Sequence, residues 1–318
     1  MEETVHISDA FINNNTNFSE LVVALKEGFS STDFLVPQRH HHDFPNPEMG
    51  ADSTLLLMPA WHPGKEAGVK IATVSPENQK FGLPAIQAIY ILMDAKTGTM
   101  KATMQAKSLT AKRTAATSAM ASSFLSRKDA SSLLMIGTGA LSANLIRAHA
   151  SVRPIESVFV WGRNLEKAKA VCDSLSDESF DCQVVNTIEE KIGEVDIVSS
   201  ATLSKTPLVL GKYLKPGQHI DLVGAYKKDM READDEVIEK ASVFVDTPGG
   251  IQESGDIAIP LERGVMKQDD IKGNLFSLSS REVSGRENEE EITFFKSVGH
   301  ALEDLVAASY YYNKFQNE

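Results

Sequence analysis

The residues of this sequence whose types and spacing point most directly to chemistry are two glycines. Gly137-x-Gly139-x-x-Ser142 follows the apolar run Leu133-Leu134-Met135-Ile136 and opens a helix-compatible stretch that reaches about Ser151. A strand–turn–helix junction of this kind suits a dinucleotide pyrophosphate. The first glycine allows the tight turn, the second lets the phosphate approach the backbone, and free N–H groups at the helix start hold the anion. The third position asks for a small residue so that helix and strand can pack. Ser142 departs from glycine there while staying small. Without the strand before and the helix after, the same glycines would mark an ordinary turn.

A second strand, Val158-Phe159-Val160-Trp161, ends where an NAD site usually places a carboxylate, about 20 residues past the glycines, to hold the ribose 2′-hydroxyl. This sequence has Trp161-Gly162-Arg163-Asn164 instead. Arg163 can pair with a 2′-phosphate, and Lys167, one helical turn on, adds a second cation. The expected cofactor is therefore NADPH, with NADH as the weaker alternative. The competing explanation is a solvated surface arginine. Lys70 is a third signal: a charge within Gly68-Val69-Lys70-Ile71-Ala72 needs a partner or solvent. His40-His41-His42 carries less, because consecutive side chains on a strand alternate between faces and cannot converge on one metal ion. No metal is expected.

The elements that must position these residues are set by an ordinary globular composition: 318 residues, 42% hydrophobic and 24% charged. Two lobes are the natural organisation at this length. The net charge of −12 and the absence of a basic stripe argue against nucleic acid as a partner. Cys172 and Cys182 are too few for a disulfide framework or a cysteine-built metal site. The acidic start Met1-Glu2-Glu3-Thr4 has no leader pattern, and no run approaches the roughly 18 apolar residues of a membrane span. The expected address is the cytoplasm, with no membrane contact.

The sequence reads in three parts. Phe18 to Phe29 has apolar residues at helical spacing, and the strand-like pieces Thr54–Met58, Gly68–Val74 and Ile86–Met93 follow, with a hairpin turn over Asp94–Thr99. Lys107 to Leu125 reads as a long helix. From Ser131 onward strands alternate with helices (Glu166–Leu175 among the helices, Val195–Ser199, His219–Val223 and Val243–Val245 among the strands), which argues for parallel βαβ units. Glu291 to Tyr312 reads as helical.

The runs KSLTAKRTAATSAMA (Lys107 to Ala121), MIGTGALS, VWGRN and ITFFKSVG together resemble the ornithine cyclodeaminase/mu-crystallin family over nearly the whole chain. Around Pro37-Gln38-Arg39 and Phe124-Leu125-Ser126-Arg127-Lys128 the resemblance is to its bacterial Δ1-pyrroline-2-carboxylate reductases. It implies an α/β chain with a Rossmann-type doubly wound parallel sheet (residues 114–297) inserted into an α+β dimerisation and substrate domain. That domain would be built from residues 1–113 and a returning C-terminal helix, 298–318, and would form a homodimer.

The resemblance also implies roles. The substrate carboxylate would be held by Arg39, Lys70 and Arg113, with Lys70 and Arg113 catalytic. A guanidinium suits a carboxylate, and a lysine can bind it or donate a proton. Cofactor contacts would fall on Gly137, Thr138, Gly139, Ala140, Leu141, Arg163, Asn164, Lys167, Thr202, Leu203, Val223 and Lys296, the last set in an apolar stretch. Where cyclodeaminases of the family place an Asp, this sequence has Tyr226, and Asp229 three residues later is no substitute. The implied reaction is reduction of a cyclic imine carboxylate, as in hydroxyproline or D-amino-acid catabolism. The alternatives are an amino-acid dehydrogenase or cyclodeaminase on the same scaffold, or a mu-crystallin-like ligand-binding protein.

Overall fold

A computed structural model describes residues 4–318; the acidic start Met1-Glu2-Glu3 lies outside the described residues. Contacts divide the chain into two units, one of residues up to Arg113 together with His300–Glu318, the other Thr114–Gly299.

Period-two alternation builds the first unit. After β1 (Val5–Ile7), the helices α1 (Asp9–Asn14) and α2 (Phe18–Ser30) begin at Ser8 and Asn17, whose side chains accept the N–H groups of Phe11 and Glu20. Then come β2 (His40–Phe44), β3 (Ser53–His62), β4 (Glu66–Val74), β5 (Ile86–Asp94) and β6 (Met100–Gln105). They form one sheet in the order β1-β6-β5-β4-β3-β2, antiparallel except that β1 runs parallel to β6. One face buries Gly68, Lys70, Ala72, Tyr90 and Leu92. The opposite face sets Leu57, Ile71 and Ile89 in a cross-strand row, none of them buried. β2 is an edge strand exposed at all five positions, so the three histidines face solvent.

Helix α3 (Ala106–Leu125) runs through the boundary at Arg113 and leads into the second unit. There β7 (Ser132–Ile136), α4 (Ser142–Ala150), β8 (Ser157–Trp161), α5 (Leu165–Asp173), β9 (Asp181–Val184), β10 (Ile197–Ser200) and β11 (His219–Leu222) are followed by α6 (Asp235–Lys240), β12 (Ala241–Val245), α7 (Gly255–Glu262), β13 (Ile271–Asn274), α8 (Leu275–Ser279) and β14 (Ile292–Lys296). The strands make an eight-stranded parallel sheet, β13-β12-β14-β11-β10-β7-β8-β9. β8 and β10 flank β7, so the chain order reverses at the end of β7, where open α/β sheets bind their ligands. This is a Rossmann-type doubly wound sheet accompanied by a second, α+β unit.

One reading is corrected. The segment Glu291–Tyr312 is not helical throughout: Ile292–Lys296 is β14, buried at every position between β11 and β12, and the C-terminal helix α9 is Ala301–Gln316. Gly299, at φ +84°, separates the two. By its contacts the second unit runs to Gly299, where the Asp246 carboxylate accepts the N–H groups of Val298 and Gly299 at 2.6 and 2.7 Å.

Candidate functional site

The end of β7 opens into a cavity of about 370 Å³ lined by Gly137, Thr138, Gly139, Arg163, Asn164 and Lys167 on one side and by Thr202, Leu203 and Ser204 on the other. Gly137 has φ +117°, and a Cβ there would lie 2.8 Å from the carbonyl oxygen of Ala201. At Gly139 a Cβ would meet nothing within 4 Å, which leaves the backbone open to a ligand. Ser142 is fully buried and its hydroxyl donates to the Gly137 carbonyl at 3.0 Å, tying the start of α4 to the turn. Asn164 caps α5 by accepting the Lys167 N–H, so Arg163, Asn164 and Lys167 share one exposed rim. An open glycine turn, a helix start and a cationic rim without a carboxylate at the end of β8 fit a dinucleotide.

Ala140 and Leu141 belong to the same loop, and Val223 follows β11, but these three do not line the cavity. Neither does Lys296. It is 1% exposed, and its Nζ lies 3.0 Å from Asp256 and 3.7 Å from Glu232, both fully buried. Glu232 is the hub of that cluster. One carboxylate oxygen accepts from Ser200 Oγ, Thr202 N and Thr202 Oγ1 at 2.6, 2.7 and 2.9 Å. The other accepts from the Gly224 and Ala225 N–H groups at 2.8 and 3.0 Å. Asp256 in turn accepts the N–H groups of Glu232 and Ala233. The loops after β10 and β11 are thus fixed by one carboxylate, and Lys296 reaches the cavity wall only through it. Burial pushes the Glu232 carboxyl up, with Lys296 pulling against it.

The first unit holds a second cluster. Lys70 on β4 shares a cross-strand row with Met58 and Tyr90 and is 5% exposed. Its Nζ lies 2.7 Å from Asp304 Oδ2 on α9. The other oxygen of Asp304 accepts from Arg113 Nε at 2.9 Å, and Arg113 Nη1 donates to Glu303 Oε2 at 2.5 Å. The remaining oxygen of Glu303 accepts the His300 N–H. Burial lowers Lys70 to about 8 although Asp304 opposes it. Burial alone would raise the Asp304 carboxyl, but Arg113 and Lys70 together hold it below the usual range. Arg39 is half-buried just before β2. Continuing the His40↔Leu57 register by one residue sets it opposite Met58, in the same row as Lys70 and two strands away, roughly 10 Å.

Sequence reasoning named Lys70 and Arg113 and missed the carboxylates that hold them. The signal was available: Glu303-Asp304 sits inside Ala301-Leu302-…-Leu305-Val306-Ala307-Ala308, and the argument applied to Lys70 applies equally to an acid in an apolar run. Glu232 and Asp256 carried no such mark. Tyr226 is half-buried four residues past β11, while Asp229 is a surface group paired with Lys205 at 2.8 Å. Among the described residues, no helix is long and apolar enough to cross a membrane.

The profile of the ornithine cyclodeaminase/mu-crystallin family matches residues 3–318. The Δ1-pyrroline-2-carboxylate reductase of Paracoccus denitrificans is 36% identical over 300 residues, covering 92% of each chain. Protein SAR DEFICIENT 4 of Arabidopsis thaliana is 40% identical over 273 residues, 83% of each chain. Among solved structures, the Δ1-pyrroline-2-carboxylate reductase of Thermococcus litoralis, in complex with NADH and L-proline, superposes with a TM-score of 0.92 at 32% identity, covering 99% of this chain and 98% of that one. An archaeal alanine dehydrogenase dimer with bound NAD gives 0.91 at 27% identity, covering 99% and 97%.

Proposed function

The chain belongs to the ornithine cyclodeaminase/mu-crystallin family, and we propose that it reduces small cyclic imine carboxylates with NADPH in preference to NADH. Δ1-Pyrroline-2-carboxylate would give L-proline, and Δ1-piperideine-2-carboxylate would give L-pipecolate. The observation that carries this reading is the buried cationic pair Lys70 and Arg113. Asp304 draws the two together with its two oxygens, so both positions that the resemblance assigns to a substrate carboxylate meet at one point, in a chain 36% identical to a Δ1-pyrroline-2-carboxylate reductase.

A bound nicotinamide dinucleotide supplies the hydride. Arg39, Lys70 and Arg113 hold the substrate carboxylate and so present the adjacent C2 carbon, and fixing the two reactants supplies much of the acceleration. Lys70 remains largely protonated at neutral pH with its value near 8, so it serves as a cation there. Arg163 and Lys167 hold the 2′-phosphate at the cavity rim. Tyr226 in place of the cyclodeaminase Asp supports reduction over ornithine cyclisation, since a phenol supplies no carboxylate for the substrate ammonium. The half-exposed apolar face of the first unit's sheet supports a homodimer.

Consumption of NADPH measured over both imines, 2-oxo acids with ammonia, and ornithine tests the reading. Both imines should be reduced, because one methylene discriminates only about 10–200-fold. Proline formed from ornithine, or both imines left untouched, would overturn it.

A further inference from the structure

The two cations expected to grip a carboxylate are already countered. Asp304 bridges Lys70 and Arg113 with its two oxygens, and Glu303 takes a second guanidinium nitrogen of Arg113. Around Lys70 the charged groups are Arg113 from α3 and Glu303 and Asp304 from α9, and the neighbour across from it on β5 is Tyr90. Burial drives the Tyr90 hydroxyl's pKa well upward, so it contributes no charge. Two cations and two carboxylates cancel.

We infer that Asp304 and Glu303 select the charge state of the ligand, so that the site takes a ring with a protonated nitrogen, a zwitterionic iminium carboxylate, in preference to the anionic imine. The inference rests on the reductase reading. Uncountered, Lys70 and Arg113 in a site of low dielectric would repel a positive nitrogen; Asp304 and Glu303 cancel them here. The protonated ring is also the form that accepts hydride. The hydride's electron pair forms the new C–H bond at C2, the π pair of the C=N bond moves onto nitrogen, and the positive nitrogen becomes a neutral secondary amine. No other proton is needed in that step. Asp304 and Glu303 are positioning residues here, acting through Lys70 and Arg113. A purely structural role, as acids favouring the first turn of α9, is the competing explanation.

Two five-membered probes separate them: L-proline, net neutral at pH 7, and pyrrole-2-carboxylate, which has no positive charge and is net negative. Their affinities are measured by calorimetry with NADP+ present, for the wild-type protein, Asp304→Asn and Glu303→Gln. The affinity ratio of proline to pyrrole-2-carboxylate should fall at least tenfold in Asp304→Asn, with proline weakened and pyrrole-2-carboxylate strengthened. Glu303→Gln should move it the same way, and carries the test if Asp304→Asn does not fold. Equal weakening of both probes, or an unchanged ratio, in a protein whose wild type reduces the imines, overturns the inference and leaves the reductase reading standing. A wild type that reduces neither imine removes that reading and the inference with it.

Discussion

The ammonium of Lys296 and the carboxylate of Asp256 face each other at 3.0 Å, both excluded from solvent, at the end of a strand buried at every position. Removing the cation would leave Asp256 and Glu232 as adjacent buried acids. Breaking such a pair costs about 3–5 kcal/mol. Lys296→Met should therefore lower the melting temperature by on the order of 10 °C. It should also weaken dinucleotide binding, because Glu232 holds the Thr202 backbone at the cavity wall. Thermal melting with and without NADPH reads both effects; an unchanged melt would show the pair to be energetically idle.

Under the proposed reading, Arg163 selects NADPH over NADH. It lies on the exposed cavity rim beside Asn164 and Lys167, with no carboxylate ending β8 to favour a free 2′-hydroxyl. A charge-assisted phosphate contact is worth about 1.5–3 kcal/mol, or roughly ten- to over a hundredfold in affinity. Arg163→Ala should weaken NADPH by that factor and leave NADH nearly unchanged in fluorescence titrations. Equal affinity for both cofactors in the wild type would count against the 2′-phosphate assignment.

The turn and rim of the cavity at the end of β7 were legible because their parts are local: residues 137–142 and 161–167 are contiguous segments whose geometry follows from one turn and one helix cap each. The carboxylates were not. Asp304 meets Arg113 across 191 residues, a pairing that no local pattern specifies. β14 was misread for a related reason. A strand buried on both faces has neither a two-residue nor a 3.6-residue period, so Ile292–Lys296 ran into the helix behind it.

His219 makes the second unit acid-sensitive. It is fully buried on β11, its Nδ1 is 2.9 Å from Thr293 Oγ1, and its Nε2 has no partner among the described residues. Burial lowers it from 6.5 to about 3, with His149, Arg286 and Arg153 adding to the effect and Asp221 opposing it. A lowered folded-state value means that the unfolded chain binds the proton more readily. The stability this represents is present above pH 6.5 and is lost as pH falls towards 3. Between pH 7 and pH 5 this one residue should contribute a loss of about 2 kcal/mol. Urea unfolding at the two pH values measures it, and His219→Gln should flatten that part of the dependence; an equally steep profile in the variant would assign the sensitivity elsewhere.

A sheet with one face packed by helices normally turns polar residues to the other. In the first unit the second face instead carries Leu57, Ile71 and Ile89 in one row and Pro59, Val69 and Ile91 in the next, all half-buried or exposed. Ile89 is 39% exposed. A contiguous apolar face of this kind marks an interface, and a second copy of the same face is its simplest complement, since a two-fold contact pairs identical surfaces. The protein should elute with about twice the 34.7 kDa chain mass in size exclusion with light scattering. Ile89→Lys should shift it to monomer while leaving the fold intact, because a lysine on that face meets water in the separated chain. A monomeric wild type at micromolar concentration, or a lysine variant that stays dimeric, would place the interface elsewhere or remove it.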